Sequence, residues 1–314
     1  MPAFAQGARQ PFLAYHASWF EPPAATAQET TLARIPGFVD IVALAFARPD
    51  LVYDGGLDLS RTGLEYRYSG TVLRDSIRLL KQRHPRTRVI LSVGGSGWTK
   101  GWPRFDEHAL ARLVRDLGAD GVDLDFEPED PGCAMAKGGR IVCASYEEWI
   151  DLIARIRAVL PRPMLLTLPA WSVGAYGEGR FAADAPRSPW TGSMLGVLRS
   201  PAAREIDVVS VMAYDAGPLY DAERAFAAYR AVWKGRLLHG IAVRPADAAS
   251  PVTSAAEAER RMKAVRRDTQ GGAMLYALRS CAPEANCPPG ETEEALARAI
   301  CRGLSLGGCD AAVP

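Results

Sequence analysis

The chain has 314 residues, 48% apolar and 23% charged, enough to bury a large core and too apolar for a disordered segment. Lys and Arg total 37 against 36 Asp and Glu, a net charge of +1 with no long block of one sign. Phosphate-driven nucleic-acid binding and a polybasic membrane surface are therefore not expected, and no run approaches the ~18 apolar residues of a membrane-spanning helix, so the chain reads as a soluble monomer.

Strand-like apolar runs alternate with helix-like stretches from end to end. The predicted strands are Phe12 to Ser18, Val39 to Ala47, Val89 to Val93, Gly121 to Glu127, Met164 to Pro169, Ile206 to Tyr214, Leu237 to Val243 and Gly272 to Leu278. Helices are expected near Thr71 to His84, after Asp106 with a stripe of Leu110, Leu113, Val114 and Leu117, near Asp221 to Trp233 and near Thr292 to Arg302. Capping boxes are read at Ser145 with Glu148 and at Ser254 with Glu257. The first and fifth crossovers show no clear helical pattern. Eight such units suit an α/β fold of the (β/α)8 TIM barrel type, for which ~250 residues is typical. A doubly wound open sheet fits less well, because no Gly-rich phosphate turn follows the first strand.

Residues 1–10 read as an N-terminal tail, with Ala3, Phe4 and Ala5 forming a small-x-small triplet like a processing site but no signal-peptide core before it. Residues 11–314 read as one barrel domain with a cysteine-linked C-terminal segment. The six cysteines form no CxxC, and His16, His84, His108 and His239 are scattered, so no metal site and no cofactor are expected. Their even number favours disulfides and a secreted or periplasmic location. Cys133 with Cys143 is the expected clip, and Cys281, Cys287, Cys301 and Cys309 can pair in three ways.

The segment Asp120-Gly121-Val122-Asp123-Leu124-Asp125-Phe126-Glu127 carries the chemistry. Along a strand, side chains alternate, so Asp123, Asp125 and Glu127 share one face and Val122, Leu124 and Phe126 the other. If the apolar face packs on helices, three carboxylates point into the barrel, with backbone spacings of roughly 6–7 Å. Crowding buried negative charge raises at least one pKa, which is what a general acid near neutral pH requires. Asp120 has the wrong parity for this row and reads as a structural acceptor. A divalent-cation site is the competing use of such oxygens.

Asp120, Asp123, Asp125 and Glu127 together resemble the D-x-x-D-x-D-x-E signature of family 18 glycoside hydrolases, the chitinase group. Ser92-Val93-Gly94-Gly95 is similar to that family's S-x-G-G motif on the third strand, and Met212-Ala213-Tyr214-Asp215 to its M-x-Y-D motif on the sixth. The resemblance implies retaining hydrolysis of β-linked N-acetylglucosamine glycans such as chitin, by a substrate-assisted route through an oxazolinium ion. It implies Glu127 as acid and then base, Asp125 orienting the acetamido group, Asp123 sharing a proton with Asp125, and Tyr214 hydrogen-bonding the acetamido oxygen. Met212 and Asp215 would contact the sugar, although Met212 also suits core filling and Asp215 a helix cap. Ser92, Gly94 and Gly95 are expected to shape the floor.

Sugar faces stack on aromatic rings, and Trp19, Trp98, Trp102, Trp171 and Trp190 all fall at or just beyond strand ends. Trp171 and Trp98 are the favoured stacking residues, with Tyr15 and Phe46 on the cleft wall. The chain departs from the family at its eighth strand, where Tyr276 stands in place of the usual Trp. It also lacks the length between the seventh and eighth strands for a small α+β insertion. An open groove follows. The same chemistry could act on N-glycans or peptidoglycan, and a silent sugar-binding barrel is the third reading, disfavoured by the presence of Glu127.

Overall fold

The computed structural model describes residues 9–280 and 291–314. The Ala3 to Ala5 triplet and the cysteines Cys281 and Cys287 lie outside the described residues. Eight parallel strands close into a barrel: β1 (Phe12–Ala17), β2 (Ile41–Ala47), β3 (Arg88–Gly94), β4 (Gly121–Asp125), β7 (Leu165–Ala170), β8 (Val208–Val211), β9 (Arg236–Ala242) and β10 (Gly271–Leu278). Between β4 and β7 an antiparallel hairpin is inserted, β5 (Cys133–Ala136) with β6 (Arg140–Cys143). Around the barrel lie α1 (Gly70–Arg83), α2 (Glu107–Leu117), α3 (Ser145–Val159), α4 (Leu195–Arg199), α5 (Ala222–Val232), α6 (Ala255–Val265) and α7 (Glu293–Gly303).

Strand parity divides the core in two. Outward residues such as Val122, Leu124, Leu166 and Leu168 pack on the helices, with Leu110, Leu113, Val114 and Ile153 facing them. Inward residues, including Leu13, Tyr15, Ile41, Ile90, Leu165, Val208, Leu238 and Met274, fill the barrel itself. The barrel is therefore a packed core, and its chemistry is confined to the C-terminal mouth.

Local chemistry sets most helix starts. Asp106 accepts the N–H groups of His108 and Ala109, Asp221 those of Glu223 and Arg224, and Ser254 that of Glu257. Helix α2 stops at Gly118, which adopts the left-handed conformation (φ 67°). The capping box read at Ser145 and Glu148 is not formed. Ser145 lies inside the first turn of α3, whose N-cap is Ala144 with no side-chain cap, and its buried hydroxyl has no partner.

One other expectation shifts, the ends of two strands, and three segments carry little signal in the sequence. The first crossover contains only two 3-10 turns (Ser18–Phe20 and Leu32–Arg34) between β1 and β2, and the fifth only α4 and short turns, which is why neither shows a helical stripe. The fourth and sixth strands end at Asp125 and Val211, so Glu127 and the Met212 to Asp215 segment stand in the loops above the barrel. Strand β5 shows no alternation, because it is largely exposed, whereas β6 alternates between exposed and buried residues over only four positions. The hairpin's ends are tied by the expected Cys133–Cys143 disulfide, and a second disulfide, Cys301–Cys309, fastens the segment after α7.

The connection between β9 and β10 holds α6 and no additional sheet, in keeping with the missing insertion. Among the described residues, no helix is long and apolar enough to cross a membrane.

Candidate active site

Adjacent strands place the acidic row. Glycine at 94 (φ 109°) lets β3 come so close to β4 that a Cβ there would lie 2.1 Å from the Asp125 carbonyl oxygen. Gly95 then donates its N–H to that same oxygen at 2.8 Å. These two glycines thus hold the Asp125 backbone against the end of β3. Asp120 lies below the row: its carboxylate accepts from Val89 N–H at 2.8 Å and from Lys81 at 2.7 Å, pinning the strand starts together.

The row rises from sealed interior to open cavity, with Asp123 0%, Asp125 4% and Glu127 8% exposed. Asp123 accepts three hydroxyl donors: Tyr15 at 2.7 Å, Ser92 at 2.8 Å and Thr167 at 2.5 Å. Burial pushes its pKa up, and those three donors oppose the rise. Asp125 is raised well above the carboxylate range by burial, then by the charges of Glu127 and Asp123. Asp125 thus stands between two carboxyls, Asp123 below and Glu127 above, and interacts with both. The three hydroxyls on Asp123 fix the lower end of the row. Burial raises Glu127 to about 7, against the hydrogen bonds it accepts from Asp125 and the Ser96 backbone.

A cavity of about 340 Å³ opens above this pair, lined by Tyr15, Phe46, Ser96, Asp125, Glu127, Trp171, Met212, Tyr214, Asp215, Ala246, Asp247 and Tyr276. That volume falls in the usual range for small-molecule sites. Tyr214 and Tyr276 stack with ring centroids 5.9 Å apart, and Tyr15 meets Tyr276 edge-on at 5.6 Å. The Tyr214 hydroxyl reaches the Met274 sulfur at 4.0 Å, a weak acceptor that leaves the phenolic proton free for a stronger one. Asp215 adopts φ 52° and accepts the Asp247 N–H at 3.0 Å, so it does not cap α5, whose cap is Asp221.

Of the aromatic candidates, Trp171 lines the cavity with Trp190 stacked behind it at 4.5 Å. Trp98 does not line it, and the Arg48 guanidinium lies over its ring, 5.1 Å from the centroid. Trp102 is core, packed edge-on against Phe126. Thr167, Ser96, Ala246 and Asp247 were not anticipated. Thr167 was accessible by parity, two residues beyond the inward-facing Leu165; the loop residues carry no periodic signal.

An acid row at the C-terminal mouth of a parallel barrel, with a raised carboxyl beside a sugar-sized cavity, has the form of a glycosidase site. The family profile for "Glycosyl hydrolases family 18" matches residues 12–258, and the chain belongs to that family. A chitinase of Plasmodium falciparum is 35% identical over 103 residues, covering 29% of this chain and 26% of that relative. A class V chitinase of Medicago truncatula is 26% identical over 139 residues, covering 41% of this chain and 33% of that relative. The aligned regions thus span about a quarter to a third of the relatives' length. Among solved structures, a family 18 chitinase from Chromobacterium violaceum superposes with a TM-score of 0.64 at 15% identity, covering 97% of this chain and 90% of the other. A family 18 chitinase from Pseudoalteromonas aurantia gives 0.60 at 18% identity, covering 86% and 95%. These distant likenesses show the shared fold.

Proposed function

We propose that the protein hydrolyses β-linked N-acetylglucosamine glycans of the chitin type with retention, using the substrate's own acetamido group as nucleophile. The observation that carries this reading is the hydrogen-bonded Asp125–Glu127 pair facing the cavity. Asp125 and Glu127 lie side by side, two residues apart on one face of the same segment, unlike the two carboxylates that flank the bond in the two-carboxylate schemes. Asp215, the next carboxylate in the cavity, is committed to the Asp247 N–H. A nucleophile supplied by the substrate's own acetamido group fits this arrangement.

In the first step Glu127 gives its proton to the glycosidic oxygen. The acetamido carbonyl oxygen forms a bond to the anomeric carbon, and the glycosidic C–O bond breaks. Asp125 accepts the acetamido N–H and offsets the charge of the oxazolinium ion; Tyr214 donates to the acetamido oxygen, holding it in line. In the second step the Glu127 carboxylate takes a proton from water, whose oxygen adds to the anomeric carbon as the oxazolinium ring opens. Asp123 acts through Asp125, by its charge from beneath. Trp171 and Tyr276 provide stacking surface, and Met212 and Phe46 the walls. The two disulfides support a location outside the reducing cytosol.

The test is product analysis by mass spectrometry on N-acetylglucosamine oligomers, an N-glycan and peptidoglycan, beside the Glu127→Gln variant. Cleavage of the oligomers, lost in the variant, is expected. Binding without cleavage of any of the three would leave a sugar-binding barrel instead.

A further inference from the structure

Trp190, on the long loop after β7, lies outside the cavity but touches both of its working sides. Its ring stacks on Trp171 with centroids 4.5 Å apart and planes inclined by 24°, leaving Trp171 one ring face for a sugar. Its indole N–H donates to the Pro128 carbonyl at 3.3 Å, one residue beyond Glu127. Proline has no N–H, so that carbonyl is the only backbone hydrogen-bonding group by which residue 128 can be held.

The loop that carries Trp190 is itself fixed. Ser188 Oγ accepts the Trp190 backbone N–H at 3.3 Å, and Thr191 Oγ1 accepts that of Ser188 at 2.9 Å, closing the turn around the indole. Gly192 and Met194 donate to the Val173 and Gly174 carbonyls at 3.2 and 2.9 Å, just past Trp171. From behind, Tyr146 on α3 donates to the Gly192 carbonyl at 2.8 Å, and Ile141 on β6 packs so close that a Cβ at Gly192 would lie 2.6 Å from its Cδ1.

Resting on the hydrolase reading, we propose that Trp190 is a positioning residue that keeps the proton donor and the stacking platform in register. Its N–H sets the height of Glu127 through Pro128, and its ring sets the tilt of Trp171. The proton must reach the glycosidic oxygen of a chain seated against Trp171, so an error in the distance between the two is felt in the transition state. Glu127 also meets Asp125 beneath it, the Ser96 backbone N–H, Asp215 and the phenols of Tyr214 and Tyr276. A Trp190 variant leaves all of these in the chain, so a shift in the Glu127 titration reports how firmly the segment holds it out of water.

Trp190→Phe keeps a ring against Trp171 and removes the N–H. With an N-acetylglucosamine oligomer, kcat should fall about three- to tenfold, as for one lost neutral hydrogen bond, while KM stays within about twofold. The Glu127 carboxyl, followed by carboxyl-carbon NMR, should titrate at lower pH than in the wild type, because the loosened segment admits water. Trp190→His, whose Nε2 takes the ring position of the indole nitrogen, should recover part of kcat. Urea midpoints report whether each variant keeps its fold. An unchanged kcat, a loss carried by KM alone, an unchanged Glu127 midpoint or no recovery in Trp190→His would overturn the proposal and leave the hydrolase reading in place. If the wild type cleaves no oligomer, the hydrolase reading fails separately, and the Glu127 midpoint in Trp190→Phe alone decides whether the indole holds the segment.

Discussion

Tyr15 on β1 and Asp123 on β4 meet inside the barrel at 2.7 Å, joining two strands that are not neighbours in the sheet. The phenol also lines the cavity, so one ring ties the sealed end of the acidic row to the wall of the site. Removing the hydroxyl in Tyr15→Phe takes one donor from a buried carboxylate that burial already pushes towards protonation. A hydrogen bond to a charged group is worth ~1.5–3 kcal/mol, so kcat should fall on the order of tenfold or more while the fold persists. Steady-state kinetics beside a denaturation curve checks this, and an unchanged kcat would show that Asp123 does not act through its charge.

The Asp125–Glu127 pair predicts the alkaline limb of the pH profile. Glu127, raised to about 7 chiefly by burial, must be protonated to act as acid. The limb belongs to the pair as a unit, since the two carboxyls share a hydrogen bond. Turnover should be level below about 7 and then fall by about tenfold per pH unit, the behaviour of one essential proton. A profile flat to pH 9 would remove Glu127 as the proton donor.

The fold was legible because parity and periodicity are repeated signals. Eight apolar runs and the alternation of Asp123, Asp125 and Glu127 with Val122, Leu124 and Phe126 survive errors of a residue or two at strand ends. What was not legible depends on single contacts. The three hydroxyls that hold Asp123, from Tyr15, Ser92 and Thr167, come from three other strands. Trp98 and Trp171 look alike in sequence, and only the folded loops separate them, Trp171 lining the cavity against Trp190 and Trp98 lying outside it under Arg48. Ser145 and Glu148 had the spacing of a capping box, but the chain leaving the Cys133–Cys143 hairpin enters α3 one residue earlier.

Gly94→Ala tests the close approach of β3 to β4. The new methyl would meet the Asp125 carbonyl oxygen at 2.1 Å and the Trp102 ring at 2.6 Å, in a backbone conformation (φ 109°) closed to L-residues. Neither neighbour can yield, one being backbone and the other a ring locked against Phe105 and Phe126. A loss of about 3 kcal/mol or more is expected in urea unfolding, combining strain and overpacking. Near-native stability would mean that the two strands can separate without cost.

His239 gives the barrel an acid sensitivity unrelated to catalysis. It sits on β9 facing Phe226, with Nδ1 near the Gly240 carbonyl at 3.1 Å and a buried Nε2 that has no partner. Burial first, then the Arg261 charge, depresses its pKa to about 4. The unfolded chain takes up this proton near pH 6.5 and the native state does not. The stability this neutral imidazole permits is therefore complete above about 6.5 and is lost as pH falls towards 4, at up to ~1.4 kcal/mol per unit and about 3 kcal/mol in all. Urea midpoints for the wild type and His239→Leu across that window isolate the effect, because every carboxylate titrates equally in both. The wild type should lose stability more steeply; parallel curves would mean that the imidazole finds a partner for its proton in the folded protein.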